Sequence, residues 1–298
     1  MRQQISMLYG GIDAGGTSFK CGVFDDALRH VESFRVPTTA PQETLETCAD
    51  YFSRFDGQMK TLGIASFGPL NLDLDSREYG MLLDTPKPDW QRVPVLTTLE
   101  RLTGLPVSID TDVNGALLAE CELGAAKGVR SAAYVTVGTG IGAGIRLSDH
   151  WVGQPSHPEF GHITVQRHAD DAGFKSVCRF HDDCLEGFAS AKAFEARFGQ
   201  AETLSTDHPG WEIEAWYLAQ ACRSLYLSFR LDRIILGGGL MQADGLIDRV
   251  RREFVRQLGG YLDMPTDQAN RLIVVPELGD LAGMTGAALL GRRRLRSG

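Results

Sequence analysis

The chain has no long apolar run. Nothing in its 298 residues approaches the 18-residue apolar stretch that a membrane helix needs. The opening segment, Met1 to Ser6, is polar, so neither a membrane anchor nor a secretory leader is expected. Positive charge is also scarce. Thirty Lys and Arg stand against 38 Asp and Glu, a formal net charge of −8, which argues against a general nucleic-acid surface. The one basic run, Arg292 to Arg296, suits the solvated end of a last helix, where cations favour the dipole. Cysteine is sparse: Cys21, Cys48, Cys121 and Cys222 are scattered, as expected of reduced thiols in a cytoplasm, and only Cys178 and Cys184 lie close together. No low-complexity linker divides the chain, so any cleft between lobes is lined by one continuous polypeptide. Dinucleotide and Walker fingerprints are missing as well: no G-x-G-x-x-G can be read, and no Gly-Lys-Ser/Thr follows a glycine loop at the required spacing.

What is present is a mixture of strands and helices. Apolar alternation predicts strands over residues 7–13, 18–25 and 33–38, joined by tight turns. A helix with Pro near its start follows over 41–55, then a short buried strand over 61–68. Residues 70–92 have loop and edge composition. A helix (93–105) and a strand (106–110) close a first lobe, residues 1–112, on which a C-terminal helix of about 283–298 is expected to pack. The second lobe, 113–282, opens with a helix from Val113 to about Lys127. Strands over 131–137 and 143–147, an irregular segment over 148–189, two helices, a strand ending in glycines (233–239), a helix and a strand (271–276) complete it. Strand, glycine turn, strand thus occurs at 8–24 and again at 132–147, which suggests an internal duplication. The fold class is α/β.

Two glycine-turn hairpins can point backbone N–H groups at one polyphosphate. In the first, Gly15, Gly16 and Thr17 follow Asp13; in the second stand Gly138, Thr139 and Gly140. Absent Cβ atoms let phosphates approach, and the two threonine hydroxyls add donors. Either loop alone is also an ordinary hairpin turn. A third loop, Gly237, Gly238 and Gly239, lies between a strand and a helix, where a nucleoside fits and where close helix–strand packing is the plainer explanation. Asp13 is a candidate water-mediated Mg²⁺ partner or a turn cap.

Asp112 falls between a strand and a helix. It is there as an N-cap, or as a general base that takes a proton from a substrate hydroxyl attacking a γ-phosphate. His162, Cys178, His181 and Cys184, within the segment 157–187, form a Cys₂His₂ set with C-x₂-H-x₂-C spacing. The set suits structural, tetrahedral Zn²⁺ with no open position. Glu159 and Glu186 flank these ligands, so zinc would fix two carboxylates suited to sugar hydroxyls. A glycosidase pair is the other reading, against which the phosphate loops speak.

Taken together, DAGGTSFK, SFGPL, TDVNG, GTGIGAG, HPEFGH, the Cys/His segment and LGGG resemble, in order and through essentially the whole chain, the ROK family of sugar kinases, repressors and related proteins. DTPKPDW (84–90), TDVNG and the C-x₂-H-x₂-C variant resemble its fructokinase branch. The resemblance implies a two-lobed actin-like, hexokinase-like ATPase (ribonuclease H-like) fold with a cleft between lobes and a small zinc-stabilised loop. It implies phosphorylation of a hexose by ATP with Mg²⁺, D-fructose giving fructose 6-phosphate, with mannose, glucose or an N-acetylhexosamine as other acceptors. Asp112 matches the catalytic base. Ser66, Gly68, Thr111, Asn114, Glu159, His162 and Glu186 match the sugar side, and the three glycine loops with Asp13 and Lys20 match the nucleotide side. The implied partners are hexose, ATP and a second copy of the chain, without nucleic acid or membrane. Two departures stand out. Ser18 replaces a customary Lys, with Lys20 on the same strand face as a partial substitute. Thr111 replaces an Asn. These departures keep a non-catalytic sugar sensor open as an alternative, and an ATPase acting on a protein is another. No helix-turn-helix precedes the first strand, so a DNA-binding repressor is not expected.

Overall fold

A computed structural model describes residues 7–297. The polar stretch read at Met1 to Ser6 lies outside the described residues, as does the side chain of Arg296 in the basic run. The chain forms two units. One comprises Met1–Leu123, Gly153–His157 and Asp280–Gly298, the other Gly124–Val152 and Pro158–Gly279.

The first unit holds β1 (Leu8–Ala14), β2 (Ser18–Phe24), β3 (His30–Pro37), α1 (Pro41–Ser53), β4 (Met59–Ser66), α2 (Val95–Thr103), β5 (Val107–Thr111), α3 (Asp112–Leu123) and the terminal helix α9 (Ala282–Ser297). Its sheet order is β3-β2-β1-β4-β5. The β1–β2 and β2–β3 pairs are antiparallel, and β4 runs parallel to both β1 and β5. Parallel neighbours need crossovers, which α1 and α2 supply. Ile12, Phe19, Leu45, Leu62, Ile64 and Trp90 are among the buried side chains of its core.

Glycines set how closely helices lie on this sheet. A Cβ on Gly63 of β4 would stand 1.8 Å from the Ala287 carbonyl oxygen of α9, and one on Gly11 of β1 would stand 2.1 Å from that of Met284. The helix therefore rests on bare strand backbone. Gly63→Ala is expected to destabilise the protein by on the order of 3 kcal/mol, because backbone rather than a flexible side-chain tip must move. Thermal unfolding measures it, and an unchanged midpoint would show that α9 does not seat on β4.

The helix expected to open the second lobe is α3, and it belongs instead to the first unit. The reason is again glycine. A Cβ on Gly286 of α9 would stand 1.8 Å from the Gly115 carbonyl oxygen, and one on Gly115 would stand 2.6 Å from Ala65 Cβ. The boundary thus falls after Leu123 rather than after Asp112.

The second unit holds β6 (Ser131–Val137), β7 (Ile141–Leu147), β8 (His150–Trp151), α4 (Leu185–Ala189), α5 (Ala191–Phe198), α6 (Gly210–Phe229), β9 (Arg233–Gly237), α7 (Leu246–Gln257), α8 (Thr266–Leu272) and β10 (Ile273–Val274). Its order, read as β8-β7-β6-β9-β10, repeats that of the first sheet strand for strand, with the same antiparallel and parallel relations. The duplication suspected from two hairpins therefore extends to the whole sheet. The strand expected over 271–276 is shorter. Residues to Leu272 complete α8, and only Ile273 and Val274 pair with β9.

Candidate active site

In the first unit, the Gly15–Thr17 loop joins β1 to β2. Gly15 N–H donates to the Ser18 carbonyl at 3.1 Å, which closes the turn and leaves Gly16 and Thr17 exposed. Nothing lies within 4 Å of a Cβ built on Gly16, so a ligand can approach the backbone there. Asp13 pairs across the strands with Lys20, and Lys20 Nζ lies 3.8 Å from Asp280. Gly283 of α9 presses on the Asp13 carboxyl, where a Cβ would come within 2.5 Å of its carbon. Burial is the main cause that raises the Asp13 pKa, with Lys20 opposing it.

Asp112 is not the cap of α3. Thr111 Oγ1 accepts the Asn114 N–H at 3.2 Å, the contact by which a cap satisfies the third helical donor. Asp112 Oδ1 accepts the adjacent Val113 N–H at 2.8 Å. The carboxylate is therefore left at the head of the helix for other work. Burial first, then the charge of Asp13, push its pKa up to about 7, against the Val113 N–H and His157, which lower it. A carboxylate tuned to that range is matched to accept a proton at neutral pH.

Asn114 is fixed from below. Its Nδ2 donates to Asp110 Oδ1 at 2.7 Å, and the same oxygen accepts the Thr111 N–H at 2.7 Å. Asp110 is buried and its pKa is raised by that burial. Ser66 Oγ donates to the Phe67 carbonyl at 2.9 Å, and Gly68 faces His157. Asp110 and His157 were not singled out from sequence. Asp110 shares a face of β5 with Ser108, opposite Val107 and Ile109, so alternation makes it an ordinary polar position and gives no signal of its burial.

In the second unit, Gly138, Thr139 and Gly140 turn β6 into β7, closed by Gly138 N–H on the Gly140 carbonyl at 3.0 Å. The third loop lies on β6. A Cβ on Gly238, whose φ is +95°, would stand 2.4 Å from the Val137 carbonyl oxygen, and one on Gly237 would stand 2.1 Å from the Tyr134 hydroxyl. Close packing thus accounts for Gly237 and Gly238. Gly239 alone of the three has open space around a built Cβ.

His162, Cys178, His181 and Cys184 come together, their ligand atoms all within 4.8 Å of one another. Cys178 Sγ lies 3.8 Å from His162 Nδ1 and 3.7 Å from His181 Nδ1. Tetrahedral Zn–S and Zn–N bonds place such donors about 3.5 Å apart, so the set fits that ion. Burial pushes the Cys184 thiol up to about 11. Gly187 lies against Ser176 and Cys178, and the Val177 N–H donates to its carbonyl at 3.1 Å, which brings the Cys178 strand back onto α4.

The cluster is wired to the second glycine loop. Glu186, two residues after Cys184, accepts the Ile141 N–H on Oε2 at 2.9 Å. Gly161, beside His162, lies so close that a Cβ would stand 2.0 Å from the Ile141 carbonyl oxygen. Both backbone groups of Ile141, the residue that leaves the loop, are therefore addressed from the Cys/His segment. Glu159 is exposed, and its carbonyl accepts the His162 N–H at 3.0 Å.

A duplicated α/β sheet, a glycine hairpin in each half and a neutral-range carboxylate at a helix head define an ATPase-type phosphotransfer architecture. The chain belongs to the ROK family, whose description matches residues 9–294. It is 40% identical over 292 residues to a fructokinase of Zymomonas mobilis, covering 95% of this chain and 96% of that protein. Among solved structures, a ROK hexokinase from Thermus thermophilus aligns with a TM-score of 0.77 and 28% identity, covering 98% of this chain and 100% of that one. A ROK glucokinase from Streptomyces griseus, in complex with glucose and AMPPNP, aligns at 0.75 with 26% identity, covering 96% and 99%.

Proposed function

We propose that the protein transfers the γ-phosphoryl group of MgATP to a hexose, with D-fructose as acceptor and fructose 6-phosphate as product. The observation that carries this reading is Asp112. Its carboxylate is released from capping by Thr111 and its pKa is about 7, in a chain 40% identical to a fructokinase. Asp112 takes the proton of the attacking sugar hydroxyl. Asn114, held by Asp110, and Glu159, Glu186, His162, Ser66 and Gly68 recognise the other hydroxyls. The Gly15–Thr17 and Gly138–Gly140 loops donate backbone N–H groups to the phosphates, which stabilises charge on the moving group.

Asp13 and Asp112 are carboxylates near enough for the charge of one to raise the pKa of the other, which suits a cation held through Asp13. Mg²⁺ bound there with the nucleotide supplies charge neutralisation on the phosphates. Zn²⁺ at the Cys/His cluster would be structural, since four ligands leave no open position. The same reading includes a cytoplasmic homodimer, the commonest state of such enzymes. None of the six cysteines is in a disulfide, and no described helix is long and apolar enough to cross a membrane.

Thr111 also weakens the sensor alternative, because its hydroxyl has a local structural purpose as the cap of α3. A coupled ADP-release assay with MgATP and a panel of fructose, mannose, glucose, allose, N-acetylmannosamine and N-acetylglucosamine tests the reading. Fructose is expected to give the largest kcat/KM. Preference for another hexose would keep the phosphotransfer and overturn the acceptor, whereas sugar binding without ADP release would establish a sensor.

A further inference from the structure

Arg35 was not among the residues singled out, and its position ties it to the first glycine loop. In the sheet register Asp13 pairs with Lys20 and Lys20 with Arg35, so the three form one row across β1, β2 and β3 and share a face. Arg35 Nε donates to Ser18 Oγ at 2.8 Å, and Ser18 is the first residue after the loop. The end of β3 is fastened to the same loop. Thr38 Oγ1 donates to the Gly15 carbonyl at 2.8 Å, and the Thr38 N–H donates to the Thr17 carbonyl at 3.0 Å. The guanidinium is exposed, and among the described residues it makes no ion pair or other hydrogen bond. Lys20, by contrast, already faces Asp280 at 3.8 Å. The Arg35 charge also reaches Asp13, whose acidity it favours.

We propose that Arg35 is the cation that meets the nucleotide phosphates at the first glycine loop, held there by Ser18. The inference rests on the kinase reading above and adds a binding residue to it. An arginine fork suits a phosphate better than a lone ammonium, because it presents paired N–H donors in fixed geometry. Only Nε is engaged by Ser18, which leaves the two terminal nitrogens to the ligand. A lysine at position 18 would put its own charge at the loop; a serine there instead grips a charge that arrives from the neighbouring strand.

The test is calorimetric titration of the full chain with Mg-AMPPNP in the absence of sugar, followed by steady-state kinetics. Arg35→Gln is expected to weaken nucleotide binding by about ten- to a hundredfold, as for loss of a hydrogen bond to a charged group. KM for MgATP should rise with it, with KM for the hexose and the unfolding midpoint unchanged. Ser18→Ala removes the grip and keeps the charge, so about a two- to fivefold loss is expected. The double variant S18K/R35Q should recover most of the affinity, which a merely structural Ser18–Arg35 pair would not allow. Unchanged nucleotide affinity in both single variants, with normal binding by the parent protein, would overturn the Arg35 proposal and leave the kinase reading standing. No binding of Mg-AMPPNP by the parent protein would overturn both.

Discussion

Asp112→Asn is expected to lower kcat by about 10²- to 10⁴-fold at pH 8 while leaving the affinity for MgATP nearly unchanged. The amide keeps the shape and can still accept the Val113 N–H, so α3 starts as before. What it cannot do is take a proton. In the parent protein the same group sets a pH dependence. A base works only when ionised, so kcat/KM for the hexose should fall about tenfold per pH unit below about 7 and level off above it. Asp112→Asn should flatten that limb, and a variant with near-normal turnover, or one with the limb intact, would remove Asp112 from the chemistry.

Stability should move the other way. The carboxyl has its pKa raised from 3.8 to about 7 in the folded protein. Between those values the native state holds a proton that the unfolded chain has released, so stability declines as pH rises through the window. A shift of that size corresponds to at most about 4 kcal/mol, and partial solvent access to Asp112 reduces it to roughly half. Asp112→Asn is therefore expected to unfold about 3–8 °C higher than the parent at pH 8, with the gain vanishing toward pH 4. A gain that persists at pH 4 would mean that the effect comes from packing rather than from the charge.

Sequence pattern located the parts of this molecule that depend on local chemistry. The hairpins at 8–24 and 132–147 each set a glycine turn between two largely apolar strands, so their duplication was visible, and the matching sheet orders extend it. The Cys/His set was visible because metal ligands need a fixed spacing and few substitutes exist. What stayed hidden depends on partners far away in the chain. The assignment of α3 to the first unit is decided by contact of Gly115 with α9, about 170 residues on, which periodicity within α3 cannot report. The place of Asp112 was ambiguous because Asp suits both a cap and a base, and the hydrogen bond from Asn114 to Thr111, which gives the cap to Thr111, leaves no trace in the sequence. The stretch read as irregular over 148–189 is held from inside. Arg197 of α5 donates to buried Asp171 at 2.7 Å, and the Tyr217 hydroxyl of α6 donates to the same carboxylate at 2.7 Å. Residues so far apart in sequence leave no pattern from which that order can be read.

The Cys/His cluster carries the other large effect. Cys184→Ser, or stripping the protein with a strong chelator, is expected to lower the unfolding midpoint by about 10 °C and to raise KM for both substrates. The stability loss follows from how much of the second unit the four ligands tie together. His162 ends a short 3₁₀ turn, Cys178 sits under Gly187, and Cys184 Sγ accepts the Gly187 N–H at the start of α4. Without an ion, four donors within 4.8 Å of one another are held only by weak contacts of their thiols, such as those of Cys178 with His162 and His181. The kinetic loss follows from Ile141. Release of Cys184 frees α4, and with it Glu186, whose carboxylate holds the Ile141 N–H at the exit of the second glycine loop. Release of His162 loosens Gly161 from the Ile141 carbonyl on the other side. A structural ion in the cluster would thereby act on the second glycine loop through one residue of backbone. Elemental analysis should find about one Zn²⁺ per chain, and Glu186→Gln should reproduce part of the KM effect without the fall in midpoint, because it spares the ligands. A metal-free preparation with unchanged midpoint and kinetics would show that the cluster neither holds an ion nor supports the loop.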